Sequence, residues 1–519
     1  MELPSKATLA LAISLAIAPA AHALSLQPGG MGQVLVYPYY TVNRNQQTLV
    51  SVVNTTNRVK AVKVRFLEGR NGKSVLDFNL YLSPFDVWTG TVGAAGSTGV
   101  ATLDSSDRSC TVPRLLSPTP FRAANYISAN QDWDQATTPG SLVALLGSLE
   151  RTREGHLELI EMGLLQTGTR PTQLAEEATH NVSGVPINCQ ALVNAWTAPN
   201  GGWIAAPWAD IETPAGGLYG AAAIVDVANG TLMSYQADAI EGFYTNTAQP
   251  GFLHRSPLLP APDLGDADNG TGLIDVRLFA VTEITQTVPS GQTTRTTDQA
   301  YSYDAVSLLF MHDAIYNEYV TDAALGAASE WVVTFPTKSA YVDTTSAALV
   351  RRPFTDPFRD NGTACEALTI SYWNREELGP GTVPGSVDFF PPPPGGGPNI
   401  PATCQQANVI AFNQDTVFTG GPSVVFGSRL ASGLRTATVI GSTFTTGWAR
   451  VVFDNPLVAG QQNVLDNARN QPGGLAFAGL PVTGFWAVNY TRSTSTPGLL
   501  ANYGGAVRHR TSRATAIVF

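Results

Sequence analysis

The stretch VKAVKVRFLEGRNGKSVLDFNLYLSPFDVWTG, Val59 to Gly90, decides the fold class. Val62, Val64 and Phe66 fall on one side of an extended chain, and Lys63 and Arg65 fall on the other. Leu76, Phe78, Leu80 and Leu82 repeat that spacing, with Asp77, Asn79 and Tyr81 opposite. A period of two belongs to a β-strand with one apolar and one wet face. Between the runs lies Gly69-Arg70-Asn71-Gly72-Lys73. A two-residue Asn-Gly turn would set Phe66 against Asp77 and mix the faces. A three-residue loop, Arg70 to Gly72, sets Phe66 opposite Leu76 and Val64 opposite Phe78. Such a loop ends on a left-handed residue, which Gly72 supplies. The reading is a hairpin with a glycine bulge, its register dictated by the buried face. Alternation reports burial, so this sheet reads first as a sandwich core and second as a binding face.

Working outward, the N-terminal residues read as an export signal. Lys6 precedes the apolar run Ala7 to Ala21, and Ala21-His22-Ala23 fits a small-x-small cleavage site. Residues 1–23 are expected to be removed, leaving Leu24 as the first mature residue. The run is short for a membrane span, which needs ~20 apolar residues. No later run is long and apolar enough for a transmembrane helix. The rest of the chain corresponds to two to four domains at ~150 residues each. Apolar residues make up 44% of the sequence, enough for real cores, although Gly (49) and Pro (35) are abundant and charge is sparse at 13%. A net charge of −10 without a basic block argues against nucleic acid as a partner.

Four cysteines follow the signal: Cys110, Cys189, Cys365 and Cys404. An even number in an exported chain reads as two disulfides. Of the three connectivities, sequential pairing, Cys110–Cys189 and Cys365–Cys404, is favoured because each bridge then closes a loop within one region. Loops of that size stabilise by roughly 4 kcal/mol each in the chain-entropy model. The cysteines lie far apart in sequence and no His pair has ligand spacing, so a zinc site is disfavoured.

The expected organisation is mainly β with a mixed α+β middle. Residues 24–115 read as an immunoglobulin-like β-sandwich, from short strands at regular intervals: GQVLVYPYY (Gly32 to Tyr40), TLVSVVN (Thr48 to Asn54), the hairpin, and DVWTGTV (Asp86 to Val92). Pro38 should break its strand or lie on an edge. Residues 116–388 are mixed. Helices are expected at Gly140 to Arg151, at Ile187 to Trp196 and, most clearly, at Asp304 to Val320, where Val306, Leu309, Phe310 and Ile315 form the face. Strands are expected at Gly155 to Gly163 and Glu330 to Pro336, and a hairpin around Asn229-Gly230. Residues 389–401, FFPPPPGGGPNIP, are a linker or a loop tied at its base by the second disulfide. Residues 402–519 return to β structure.

Several of these blocks, VLVYPYYTV, the hairpin stretch, EGHLELIEMG, EWVVTFPTK and LLANYGG, resemble an uncharacterised family of secreted proteins of Gram-negative bacteria. The resemblance runs along most of the mature chain. It implies location and carries no activity, cofactor or site residue.

Catalytic signatures are absent from the sequence: there is no G-x-S-x-G, no H-E-x-x-H and no phosphate-binding G-x-x-x-x-G-K-[ST]. The most suggestive acid–base cluster is Glu154, His156 and Glu158, which alternation places on one strand face. Paired carboxylates can cleave glycosides, although a solvated strand face explains the charges equally well. DLGDADNG, Asp263 to Gly270, offers Asp263, Asp266 and Asp268 as oxygen donors for calcium. Its spacing misses the EF-hand pattern, and a polar turn is the plainer reading. YPYY with Trp88, and Phe485 with Trp486, could form aromatic platforms for sugars or could be core. The C-terminal Phe519 suits an outer-membrane barrel strand, but a barrel requires alternating strands throughout. The expectation is an exported envelope or cell-surface protein with a structural or binding role and no cofactor. Its partners are other envelope proteins or surface glycans. The alternatives are a secreted carbohydrate hydrolase and an outer-membrane barrel.

Overall fold

The computed structural model describes residues 23–514 apart from 95–98, 123–148, 169–173, 268–273, 278–284, 289–290, 295–296, 301, 344–351, 359–363, 380–401, 414–421, 429–436, 440–443, 454–462, 467–475 and 492–501. The expected helix at Gly140 to Arg151 falls almost wholly outside the described residues. So do the export signal up to residue 22, the whole Pro/Gly-rich stretch 389–401, Asp268 and the C-terminal ATAIVF run beyond Ala514.

The hairpin adopts the register that its buried face demands. Phe66 pairs with Leu76 and Val64 with Phe78, and the register slips by one beyond Phe66. Gly72 sits at φ +70° at the end of the loop. These two strands, Lys60–Glu68 and Ser74–Leu82, lie inside a ten-stranded sheet, not at the rim of a small sandwich. Its centre runs in the order Asp238–Glu241, Val34–Thr41, Glu154–Leu165, Lys60–Glu68, Ser74–Leu82, Cys110–Val112. Strands from well beyond residue 115 are therefore integral to the N-terminal layer.

Strands Val34–Thr41, Lys60–Glu68 and Glu154–Leu165 are buried at every position. The sheet is covered on both faces, which overturns the expectation of one wet face. On one face, Leu35, Val62, Val64, Phe66, Phe78 and Leu159 pack on Val50, Val52, Trp88 and Ile224 of a six-stranded sheet. On the other, Val34, Val36, Ile160 and Met162 meet the helices Cys189–Thr197 and Ser302–Phe310 through Leu192, Trp196, Val306 and Leu309. The disulfide Cys110–Cys189 ties the first of these helices to the sheet edge. Lys63 and Arg65 point into this second layer and are roofed by the segment Arg255 to Asp266. An alternating charged row is thus sealed by chain that lies about two hundred residues away, and no local pattern announces it.

Pro38 neither breaks its strand nor lies on an edge. It occupies a bulge in Val34–Thr41, where Tyr37 pairs with Leu157 and Tyr40 with Gly155. The strand Asp238–Glu241 ends its pairing at Val36, so no neighbour on that side requires the missing N–H. The expected helix at Asp304 to Val320 is helical only over Ser302–Phe310, and Ala314–Val320 is a strand. Its second half is richer in β-branched and aromatic residues. It buries Ile315 and Tyr319 inward, exposes Glu318, and is paired on both sides by Thr446–Val452 and Arg510–Ser512. The helix Cys189–Thr197, the strand Glu154–Leu165 and the Leu218–Asp226/Thr231–Gln236 hairpin lie where the sequence put them.

The C-terminal half builds a second pair of layers. A five-stranded sheet centred on Ala327–Thr334 packs on a four-stranded sheet of order Thr369–Asn374, Thr446–Val452, Ala314–Val320, Arg510–Ser512. The back of the five-stranded sheet joins the first core: Val332, Val409, Phe426 and Phe485 lie in one cluster with Leu35 and Tyr37. The described strands form open, stacked sheets and no closed ring. No helix of the described residues is long and apolar enough to cross a membrane. The second disulfide joins Cys365 to Cys404, so both bridges have the sequential connectivity.

Candidate functional site

Glu154, His156 and Glu158 all lie on the strand Glu154–Leu165, in the middle of the ten-stranded sheet, and are 3%, 0% and 3% exposed. Glu158 Oε2 accepts from Arg65 Nη1 at 2.9 Å, and His156 Nε2 stands 3.7 Å from Glu158 Oε1. Arg65 Nε also faces Asp77 Oδ1 at 3.5 Å. Glu154 lies beyond the bulge at Gly155 and accepts from the Tyr39 hydroxyl at 2.6 Å. Burial and this carboxylate push the Tyr39 phenol well above its ordinary pKa, so it stays a donor.

The calcium candidates converge on the same place. Asp263 and Asp266 cap the short helical turn Leu264–Asp266 reciprocally: Asp263 Oδ1 accepts from Gly265 N at 2.7 Å, and Asp266 Oδ2 accepts from Asp263 N at 2.9 Å. Burial works to lower the Arg65 pKa, but Glu158, Asp77 and Asp263 outweigh it and raise it above its usual value. Burial raises Asp266. Two clusters about a hundred residues apart in sequence are therefore one buried ionic centre around Arg65. It contains no group of three or more His, Cys, Asp or Glu side chains placed to hold a metal among the described residues. Asp263 and Asp266 thus serve as the caps of a polar turn.

A second buried centre adjoins it. Lys60 Nζ lies 2.6 Å from Glu161 Oε1, with both side chains fully buried. Glu161 also accepts from the backbone of Ala215 at 3.1 Å and Gly216 at 2.8 Å. Burial and the Glu161 charge push the nearby Glu241 carboxyl up to about 7. These groups hold the layers together. Glu154 and Glu158 are 3% exposed and are engaged by Tyr39 and Arg65, so neither faces an open cleft in which a glycoside could lie.

The expected aromatic platforms are core. Tyr37, Tyr39 and Tyr40 are fully buried, and Trp88 and Phe485 are 1% and 2% exposed. The tyrosines' neighbours explain it: Tyr40 packs edge-on to Phe66, and Tyr39 to Phe426. Exposed surface that could recognise something lies elsewhere. The outer face of the six-stranded sheet presents cross-strand rows such as Ser234–Ala223–Leu49–Thr91 and Gln236–Ala221–Ser51–Thr89. These rows are partly or fully exposed and mostly uncharged, with the exposed Asp104 opposite Thr91 extending the first of them. Leu49 and Leu232 on this face are 40% and 50% exposed. The signal was present in the sequence as alternation of Thr, Ser and Ala with larger apolar residues. What it could not show was which face lacked a cover.

Comparison with known proteins finds no family model that matches the chain, no similar curated protein and no similar solved structure.

Proposed function

We propose that the protein is exported and serves at the cell envelope or surface as a binding or structural component, with the outer face of the six-stranded sheet as its recognition surface. The observation that carries this reading is that exposed face, whose only charge in the rows named is Asp104 at one edge. Contiguous exposed surface of this kind marks interaction sites on soluble proteins. Supporting it, both disulfides are formed among the described residues, as suits an oxidising compartment. The export signal over residues 1–23, the resemblance to secreted Gram-negative proteins, and partnership with envelope proteins or glycans belong to the same proposal. The hydrolase alternative loses its named carboxylates to the buried centres described above.

Cell fractionation with N-terminal sequencing and a non-reducing peptide map tests location and bridges together. The expected product starts at Leu24 and sits in the envelope or medium. For the face itself, Leu49→Lys with Leu232→Lys should leave the melting temperature within a few degrees, since exposed substitutions usually shift stability by about 0.5 kcal/mol or less. The same pair should abolish co-sedimentation with purified envelopes. Unchanged co-sedimentation rules this face out.

A further inference from the structure

The four-stranded sheet of the second sandwich carries a different kind of face. Its inner side holds Ile315, Tyr319, Ile370, Tyr372, Ala449 and Val451 in the core. Its outer side stands in two registered rows. One row is Trp373–Trp448–Glu318, and the next is Ser371–Arg450–Tyr316–Arg510. The rows are about 7 Å apart along each strand.

The Trp373 and Trp448 indoles stack at 4.3 Å with 17° between their planes, and Trp448 is 42% exposed. Trp373 covers one face of Trp448. The other face therefore turns toward the strand Ala314–Val320, where the opposed residue is the exposed Glu318. In the second row, the Arg450 guanidinium lies 5.7 Å from the Tyr316 ring centre, and Tyr316 hydrogen-bonds Ser512 at 3.2 Å. Arg510 is exposed on the far side of that ring. Among the described residues neither arginine has an acidic partner, and Arg450 Nε is buried without a hydrogen bond. Two unpaired guanidiniums in one row, flanking a tyrosine, are complementary to an anion with planar oxygens.

We infer that this face binds an acidic saccharide, with the apolar side of a sugar ring on Trp448 and its carboxylate on Arg450 and Arg510. A flat aromatic face with a polar rim suits a ring that is apolar on one side and hydroxylated at its edge. Glu318 accepts from those hydroxyls. The guanidiniums select a uronic acid over a neutral sugar, because a carboxylate makes charge-assisted, bidentate contacts that a hydroxymethyl group cannot. The inference stands on a different sheet from the proposed recognition surface and does not depend on it.

The test is titration of the full chain, with both disulfides intact, with a galacturonic acid oligomer and with the matching neutral galactose oligomer, read by tryptophan fluorescence and calorimetry. The acidic oligomer should bind, perturb indole emission and weaken as salt rises. The Trp448→Ala variant should lose affinity by about tenfold or more for the acidic oligomer. Arg450→Gln should erase the preference for acidic over neutral sugar while the melting temperature stays unchanged. Absence of binding to the acidic oligomer overturns the inference. So does equal binding by the wild type and Trp448→Ala, or binding of an acidic peptide with no binding of sugar.

Discussion

At the scale of single residues, the protein spends its buried charges on cross-linking. Glu161 takes Lys60 and two backbone donors from Ala215 and Gly216. Glu330 takes Ser423 Oγ and the backbone N–H groups of Val425 and Phe426. Glu68 takes Arg151 and the N–H groups of Arg70, Asn71 and Lys73. In each case a strand carboxylate fastens a loop whose donors would otherwise be unsatisfied. Removing one member leaves a charge sealed without its partner. Lys60→Met should cost about 3 kcal/mol or more in urea unfolding, and adding Glu161→Gln should cost less than the sum of the two single changes. An additive double variant would show that the pair is not coupled.

Buried histidines set the acid response at the same scale. Burial lowers His254 from 6.5 to about 4, with its Nδ1 side bonded to the Pro207 carbonyl, and lowers His509 likewise to about 4. The unfolded chain therefore binds more protons than the folded one between these values, and stability rises with pH across that window. Fully expressed, each shift corresponds to roughly 3 kcal/mol. Glu241 works in the opposite sense: its pKa is raised from 4.5 to about 7, so the folded state binds more protons there and stability falls as pH rises. The protein is expected to be less stable at pH 4.5 than at pH 7. Glu241→Gln should steepen that rise, as measured by urea midpoints at the two pH values. A flat or reversed slope in the variant would contradict these assignments.

Elements are held by turn chemistry and covalent closure. Gly72 combines φ +70° with a tight contact: a Cβ there would meet the Gln406 side-chain amide at 2.5 Å. Gln406 itself donates to the Pro336 carbonyl at 3.1 Å and so cannot move freely. Gly72→Ala should destabilise by about 2 kcal/mol, the left-handed penalty for a residue with a side chain plus the displaced contact. The disulfides close loops of 79 and 39 residues. Chain entropy then assigns about 4.5 and about 4 kcal/mol to them. Replacing Cys110 and Cys189 by Ser should also raise hydrogen exchange in the helix Cys189–Thr197, because that bridge anchors it. Exchange confined to the unfolding of the whole chain would show that packing alone suffices. The hairpin register was readable in advance and the sequential cysteine pairing was the favoured of three, since alternation, glycine placement and cysteine order are local or nearly so. The strand Ala314–Val320 was misread as helix because a short apolar run satisfies either period, and only the strands paired beside it decide.

For the whole molecule, the two sandwiches share a core. Phe485 stacks on Tyr235 at 4.6 Å, Thr334 Oγ1 donates to the Pro38 carbonyl at 2.6 Å, and Gln46 Nε2 donates to the Val425 carbonyl at 2.7 Å. The joint is apolar and hydrogen-bonded, unlike a loose contact between independent domains. Heating should therefore give one cooperative transition, with calorimetric and van't Hoff enthalpies that agree. Phe485→Ala, which empties part of that joint, should lower the single transition by about 3–5 kcal/mol in stability without splitting it. Two resolved transitions would mean that the halves fold apart.

The sequence by itself determined that this chain is mostly β, where its central hairpin turns and in which register, and it favoured sequential pairing of the cysteines among three possibilities. These follow from spacing, from the dihedral freedom of glycine and from chain closure, which act over short distances. Only the tertiary structure decided that the charged side of the central strands is dry, that Glu158 and Asp263 share one arginine, and that the bare faces belong to the outer sheets. Whether a polar row meets water depends on what covers it, and here the cover is Arg255 to Asp266, carried back from far along the chain. A sequence pattern records which side chains face the same way. It does not record what, from a distant part of the chain, faces them.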